Sequence, residues 1–386
     1  MTRCRKFRNN LNSCVFEKSN LILLQIIILN FMKLPIFFIC STLFCLSSLS
    51  HAQDTPRPIE RLSKEGSVAR DDSVTIFPAM TEQTFGSQTI LKNCFTDLQG
   101  SPLDKKVVRP HPSDGYYPTL QPKLNQQVEQ DLQNCIRRVN PANGRKRVAL
   151  TFDLCERHSE KTGYDAEIVN YLREKAVKAT FYAGGKWMHS HPDKTQQLMA
   201  DPLFELGNHA WTHGNFRMLT DKEAREQILW TQAEYQKQRQ ELVEQQCASQ
   251  YPNELAKIPT TLKTFRFPYG TCKPESLQIL ADYGLPAIQW DVVTGDPDRK
   301  QSAEAIVNKV LRSVKSGSII VAHANGRGHA TAQALKKLVP ALQELGYEFV
   351  TVSELLASGT AETHDECYEE KPGDNHKYDK FGKGTD

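Results

Sequence analysis

An excess of charge of either sign is missing from these 386 residues: the formal net charge is +3. That bias is too small to draw the chain to nucleic acid or to an acidic partner. No internal repeat is present, which excludes stacked-repeat architectures. No His-Glu-x-x-His segment occurs either, so the zinc-protease arrangement is excluded. Long apolar runs are confined to the N-terminal region, and after residue 52 no membrane contact is expected. An apolar fraction of 39% with 24% charged residues describes a soluble globular chain. Composition leaves the oligomeric state open.

What is there begins with an address. Met32-Lys33 precedes an apolar run over 34–49, followed by Ser50-His51-Ala52. A basic start, an apolar stretch and a small-x-small site predict an export signal cleaved after Ala52, and so a periplasmic or secreted protein. Residues 1–31 then read as an upstream extension ahead of a start at Met32. The alternative is an uncleaved membrane anchor. Of ten cysteines, Cys94, Cys135, Cys155, Cys247, Cys272 and Cys367 follow the cleavage site, which suits disulfides in an oxidising compartment. Cys155 is expected to pair with Cys272, because each directly follows a segment of the expected site and those segments should converge. A reduced, buried Cys155 is the alternative.

Residues 53–145 are polar and rich in Pro, Gln and Asp. They read as an accessory region held by Cys94 and Cys135, or as partly disordered chain. From Arg147 the texture changes. Strand-like runs at 148–152, 177–182, 264–269, 286–292, 318–322 and 349–352 alternate with helical patterns. One of these helices opens at a Thr220–Glu223 capping box. Such alternation predicts an α/β fold over 146–358, with a parallel sheet that is either open or closed into a barrel. The tail, 359–386, is charged and expected to be disordered apart from Cys367.

Six segments of this region carry chemistry. Asp153, Arg266, Asp291 and His323 fall at or just after strand ends, where the active sites of α/β folds collect. His209 and His213, four apart, would share one side of a helical turn, a common arrangement for zinc. Asp296 lies in a turn, and Tyr269 follows Arg266-Phe267-Pro268. A metal, an activated water and a proton donor can be assembled from this set. Singly, each residue has a bland reading: an Asp153–Arg266 salt bridge, a hydrogen-bonded core His323, two unrelated histidines. Trp211 and Trp290 offer stacking faces for sugar rings, or are simply core.

In order, these segments resemble the five motifs of the polysaccharide deacetylase family (carbohydrate esterase family 4). They are Thr151-Phe152-Asp153, His209 to His213, Arg266-Phe267-Pro268-Tyr269-Gly270, Trp290 to Asp296, and Gly317 to His323. The resemblance implies a distorted (β/α) barrel with an N-terminal extension, removing N-acetyl groups from N-acetylglucosamine-containing glycans with a divalent metal, zinc by default. It implies that Asp153 is the general base and His323 the general acid, with Arg266 and Asp296 orienting them. By the same likeness His209 and His213 bind metal, and Tyr269 helps hold the oxyanion through its backbone N–H. The first motif departs from the family, because Leu154 stands where a second aspartate binds metal. Alternation along the strand makes Glu156 the parity-matched replacement. Asp153 as third ligand, or a site without metal, are the other possibilities. A glycan-binding protein on a degenerate scaffold is the alternative function. Ala210, Gly214 and Pro297 depart from the usual pattern more mildly.

Overall fold

The structure is a computed structural model describing residues 89–385 apart from 120, 123 and 125–131. The expected export signal around Met32 and Ala52, with Cys4, Cys14, Cys40 and Cys45, lies outside the described residues. No helix among the described residues is long and apolar enough to cross a membrane.

Among the described residues eight strands form one sheet: β1 Cys135–Pro141, β2 Arg147–Leu154, β3 Ala179–Ala183, β4 Phe204–Asn208, β5 Val292–Val293, β6 Ser318–His323, β7 Glu348–Phe349 and β8 Gly359–His364. Their order is β4-β3-β2-β6-β1-β8, with β5 on β6 and β7 on β2. Strands β2, β3, β4 and β6 pair in parallel, as the alternating pattern predicted for such a sheet, although β4 was not among the expected runs. Past β4 the sheet continues through single parallel bridges: Asn208 with Phe265, Phe265 with Ala287, and Ile288 with Ile136 of β1. These bridges return the order to its start and close a distorted (β/α) barrel. The runs at 264–269 and 286–292 thus contribute only isolated bridges and the short β5. Pro268, Tyr269 and Gly270 turn away in a 3-10 turn, with Tyr269 and Gly270 at φ of +59° and +61°.

Strand β2 is buried along all but its first residue, as expected for a strand covered on both faces. Val148, Leu150, Phe152 and Leu154 join the larger apolar core with Phe181, Leu172 and Leu335. The helix Asp221–Glu244 opens at the anticipated box, with the Thr220 side chain accepting from Glu223 N–H and the Glu223 carboxylate accepting from Thr220 N–H.

Two expected boundaries move. Strand β1 belongs to the barrel although it lies ahead of residue 146. It carries Arg137, Arg138 and Asn140, so no apolar run announces it; Arg138 pairs with Glu362 of β8, and Arg137 lies over the Tyr368 ring at 3.7 Å. The tail is also ordered, as β8 followed by the 3-10 helix Asp374–Phe381.

The disulfides correct the expectation as well. Cys94 joins Cys247, and Cys272 joins Cys367, whereas Cys155 and Cys135 are buried and free. Cys155 Sγ instead accepts from Asn325 Nδ2 at 3.3 Å, and burial pushes its pKa up to about 11. The Cys272–Cys367 bridge closes a separation of 95 residues. Replacing Cys272 by Ser is expected to cost about 2–5 kcal/mol, the scale for loops of this length, and urea midpoints of the two proteins check it.

Candidate active site

The barrel's first motif positions Asp153 at the end of β2, beside His323 of β6 in register. Arg266 is fully buried and commits its guanidinium to this corner. Its Nη1 donates to Thr151 Oγ1 at 2.8 Å and to Asp153 Oδ1 at 2.9 Å, while Nε and Nη2 donate to the Ile288 and Gln289 carbonyls. Tyr182 and Trp290 lie against the guanidinium, with ring centroids at 4.0 and 5.4 Å. Burial alone would raise the pKa of Asp153. The Arg266 charge and hydrogen bond, with the charge of His323, outweigh it and keep the carboxyl below its usual range. Asp153 is therefore an anion aimed by Arg266.

His323 is positioned by a second carboxylate. Asp296 Oδ1 lies 2.9 Å from His323 Nδ1, and its Oδ2 accepts from the His323 backbone N–H at 2.8 Å and from Thr331 Oγ1 at 2.7 Å. The carboxylate fixes the proton on Nδ1 and leaves Nε2 for other partners. Burial disfavours the imidazolium, yet the Asp296 charge and hydrogen bond prevail and raise the pKa.

The two histidines of the second motif meet without a helix. Residues 209–215 are loop, and Ala210 and His213 adopt left-handed φ of +64° and +62°. Such values are uncommon for these residues and cluster at functional sites. They bring the rings to 4.9 Å between centroids. His209 Nδ1 faces the Arg266 carbonyl at 2.9 Å, and a carbonyl only accepts, so Nδ1 carries the proton. Burial lowers both pKa values, that of His213 well below the usual range, so both rings are neutral.

That tautomer tests the fit of a metal. His209 Nε2 presents a lone pair, is buried without a partner, and lies 3.6 Å from Asp153 Oδ2, itself a lone-pair oxygen. Two acceptors facing each other with no proton between them repel, and a cation among them would relieve it. His213 Nδ1 is also buried and unpartnered. Neutral imidazoles whose remaining N–H is held by a carbonyl are the form that binds metal. Among the described residues no three His, Cys, Asp or Glu side chains are arranged as a ready-made cage. The fit therefore rests on two histidines, with Asp153 Oδ2 facing one of them.

Glu156 is not the third donor, which corrects the sequence reading. Its Oε1 accepts from Lys186 Nζ at 2.8 Å and from Ser190 Oγ at 2.6 Å, and its Oε2 accepts from the Thr162 N–H at 2.9 Å. It is fully buried and does not line the cavity. Strand β2 ends at Leu154, so alternation no longer governs position 156. Leu154 itself points into the apolar core.

A cavity of about 450 Å³ is lined by Asp153, His213, Tyr269, Trp290, Asp296 and His323 together, with His209 and Arg266 off its wall. Tyr269 packs on His213, with centroids 4.3 Å apart, and Trp290 donates its indole N–H to the Glu369 carbonyl at 3.0 Å. Trp211 is absent from the wall: it is buried in an aromatic group with Tyr116, Tyr117 and Trp230. The tail, expected to be disordered, supplies Tyr378 and Phe381 to the cavity, with Tyr378 5.2 Å from Tyr269. The Cys272–Cys367 bridge ties this tail just after the Tyr269 turn. One hint of this role was visible beforehand, the lone Cys367 in an otherwise polar tail.

Residues 140–288 match the family model described as polysaccharide deacetylase. Among curated relatives, the peptidoglycan-N-acetylglucosamine deacetylase PgdA of Listeria monocytogenes is 30% identical over 56% of this chain and 40% of its own. A peptidoglycan-N-acetylglucosamine deacetylase of Bacillus cereus is 30% identical over 53% of this chain and 66% of its own. A chitooligosaccharide deacetylase of Sinorhizobium fredii is 27% identical, covering 53% of this chain and 89% of its own. The chain thus spans about two fifths of the length of the Listeria relative.

Proposed function

We propose, for a chain that carries a polysaccharide deacetylase domain, that it hydrolyses the N-acetyl groups of N-acetylglucosamine-containing glycan outside the cytoplasm. The observation that carries this reading is the opposition of two His–carboxylate groups whose Asp153, Asp296 and His323 line one cavity: Asp153 against the buried His209 behind it, and His323 held by Asp296. His209, His213 and Asp153 would hold a divalent cation, zinc by default for this donor set. When bound, such a cation polarises the acetamide carbonyl and acidifies water.

The chain's own residues supply the rest. Arg266 keeps Asp153 anionic and directed at the histidines. His323, with its Nδ1 proton fixed by Asp296, holds a second proton on Nε2 that can pass to the departing amine nitrogen, so that an amine rather than an amide anion leaves. Trp290 offers an apolar wall to the sugar ring. The names of the relatives support the substrate class, and the basic-apolar-small pattern over Met32–Ala52, expected to be an export signal, supports the location. Leu154 favours a second reading, a glycan-binding protein on a degenerate scaffold, since it removes one carboxylate from the metal side.

Acetate release from N-acetylglucosamine oligomers, abolished by a chelator and restored by zinc, tests the proposal. Tight oligomer binding with no acetate in either condition would replace it with the second reading. A pH profile adds a sharper expectation. His323 must be protonated to donate, and Asp296 raises its pKa, so activity persists above the usual histidine range and falls as pH rises through the raised value. Asp296→Asn removes the carboxylate charge, and the alkaline limb of kcat should move to lower pH. An unmoved limb would assign that limb to another group.

A further inference from the structure

Three arginines from separate segments line the same cavity: Arg109 from the chain ahead of β1, Arg157 just after β2, and Arg327 after β6. None belongs to the machinery above. Residues 108 and 161 exchange backbone hydrogen bonds of 2.8 and 3.1 Å, which hold the Arg109 segment beside the one carrying Glu160. A single carboxylate answers all three guanidinium groups. Glu160, whose side chain is 1% exposed, pairs with Arg109 and with Arg327, and lies 3.5 Å from Arg157.

The other acidic residues on the wall are committed elsewhere. Asp153 is held by Arg266, Asp296 by His323, and Glu369 accepts from Lys377 at 2.6 Å and Tyr378 at 3.3 Å. Three positive groups against one negative leave an excess of two charges at the wall. Arg327 Nε is buried and has no hydrogen-bond partner. If the arginines served only to neutralise Glu160, one would suffice.

We propose that this cluster binds an oxyanion carried by the glycan, a carboxylate or sulfate on a sugar beside the one being deacetylated. This rests on the deacetylase reading for its position along the glycan, but not for the chemistry of the subsite. Guanidinium groups present paired donors that match an oxyanion, and a partly desolvated wall strengthens the match. A neutral oligomer leaves the excess charge unanswered and gains nothing from it. The chain is therefore selective for acidic N-acetylated glycans over neutral ones.

Calorimetry on the whole protein with three oligosaccharides of equal length tests this: neutral N-acetylglucosamine oligomer, one alternating with a carboxylate-bearing sugar, and a sulfated one. At low salt at least one acidic oligomer is expected to bind about tenfold tighter than the neutral one, the scale of a single charge-assisted hydrogen bond. Which of the two binds tighter identifies the oxyanion. The preference should shrink with added salt and largely vanish in Arg157→Gln and Arg109→Gln, chosen because these side chains are the more exposed and their replacement spares the core. Equal affinities for all three oligomers, or an unchanged preference in both folded variants, overturns the subsite. Acetate release followed in parallel separates the two ideas. Anion preference without acetate release overturns the deacetylase reading and leaves the subsite standing, whereas acetate release without anion preference does the reverse.

Discussion

Asp153→Asn is expected to lower acetate release on the order of 10³-fold and to strip the chain of bound zinc, while Glu156→Gln leaves its zinc content intact. The two carboxylates compete for one role in the sequence, and the structure separates them by their partners. Asp153 spends one oxygen on Arg266 and turns the other towards the unprotonated nitrogen of His209. Glu156 has both oxygens taken, by Lys186, Ser190 and Thr162. An amide at position 153 keeps the shape but has no charge to offer a cation, and a site built on two neutral imidazoles then binds weakly. The Glu156→Gln change instead removes the counter-charge of Lys186, whose side chain is 9% exposed and retains the Glu160 carbonyl as acceptor. Its effect should appear as a lower unfolding midpoint. Metal analysis of the purified variants decides the matter: equal zinc in Asp153→Asn and the parent chain would sink the assignment.

Arg266→Met should be the most destabilising single change near the site, at about 3–5 kcal/mol. Arg266 has no exposed surface, and its donors serve four acceptors drawn from β2 and from the 286–292 segment that helps close the barrel. Methionine fills much of the volume but leaves the Asp153 carboxylate buried without its counter-charge, along with two carbonyls without donors. Urea denaturation measures the loss. Combining Arg266→Met with Asp153→Asn should return part of it, because the stranded charge is gone. A single-variant loss below about 1 kcal/mol would mean that water reaches this pair freely.

Parity explains where the sequence reading of the site succeeded and where it failed. Alternation along β2 correctly set Asp153 and Leu154 on opposite faces, and Leu154 went to the core. The same rule was carried two residues too far to Glu156, past the end of the strand. The four-residue spacing of His209 and His213 suggested a helical turn. The rings converge instead through two left-handed residues, a conformation that no periodicity encodes. Strand β4, Phe204–Asn208, escaped notice because Glu205, Gly207 and Asn208 break up its apolar run, and β1 and β8 because arginine, glutamate and threonine line an edge where ion pairs hold the register.

The α/β class, the apolar strands β2, β3 and β6, the order of the chemical groups along the chain and the capping of the helix after Thr220 were all legible before any coordinates. Each depends on short-range spacing or on segments read one at a time. Folding had to decide which carboxylate faces His209, that Cys272 meets Cys367 rather than Cys155, that the polar tail covers the cavity, and that Arg109, Arg157 and Arg327 converge on Glu160. Each of those is a pairing between distant segments, fixed when the barrel closes through single bridges at Phe265, Ala287 and Ile288. Local propensity selects the elements, and which side chains become neighbours is settled only by closure.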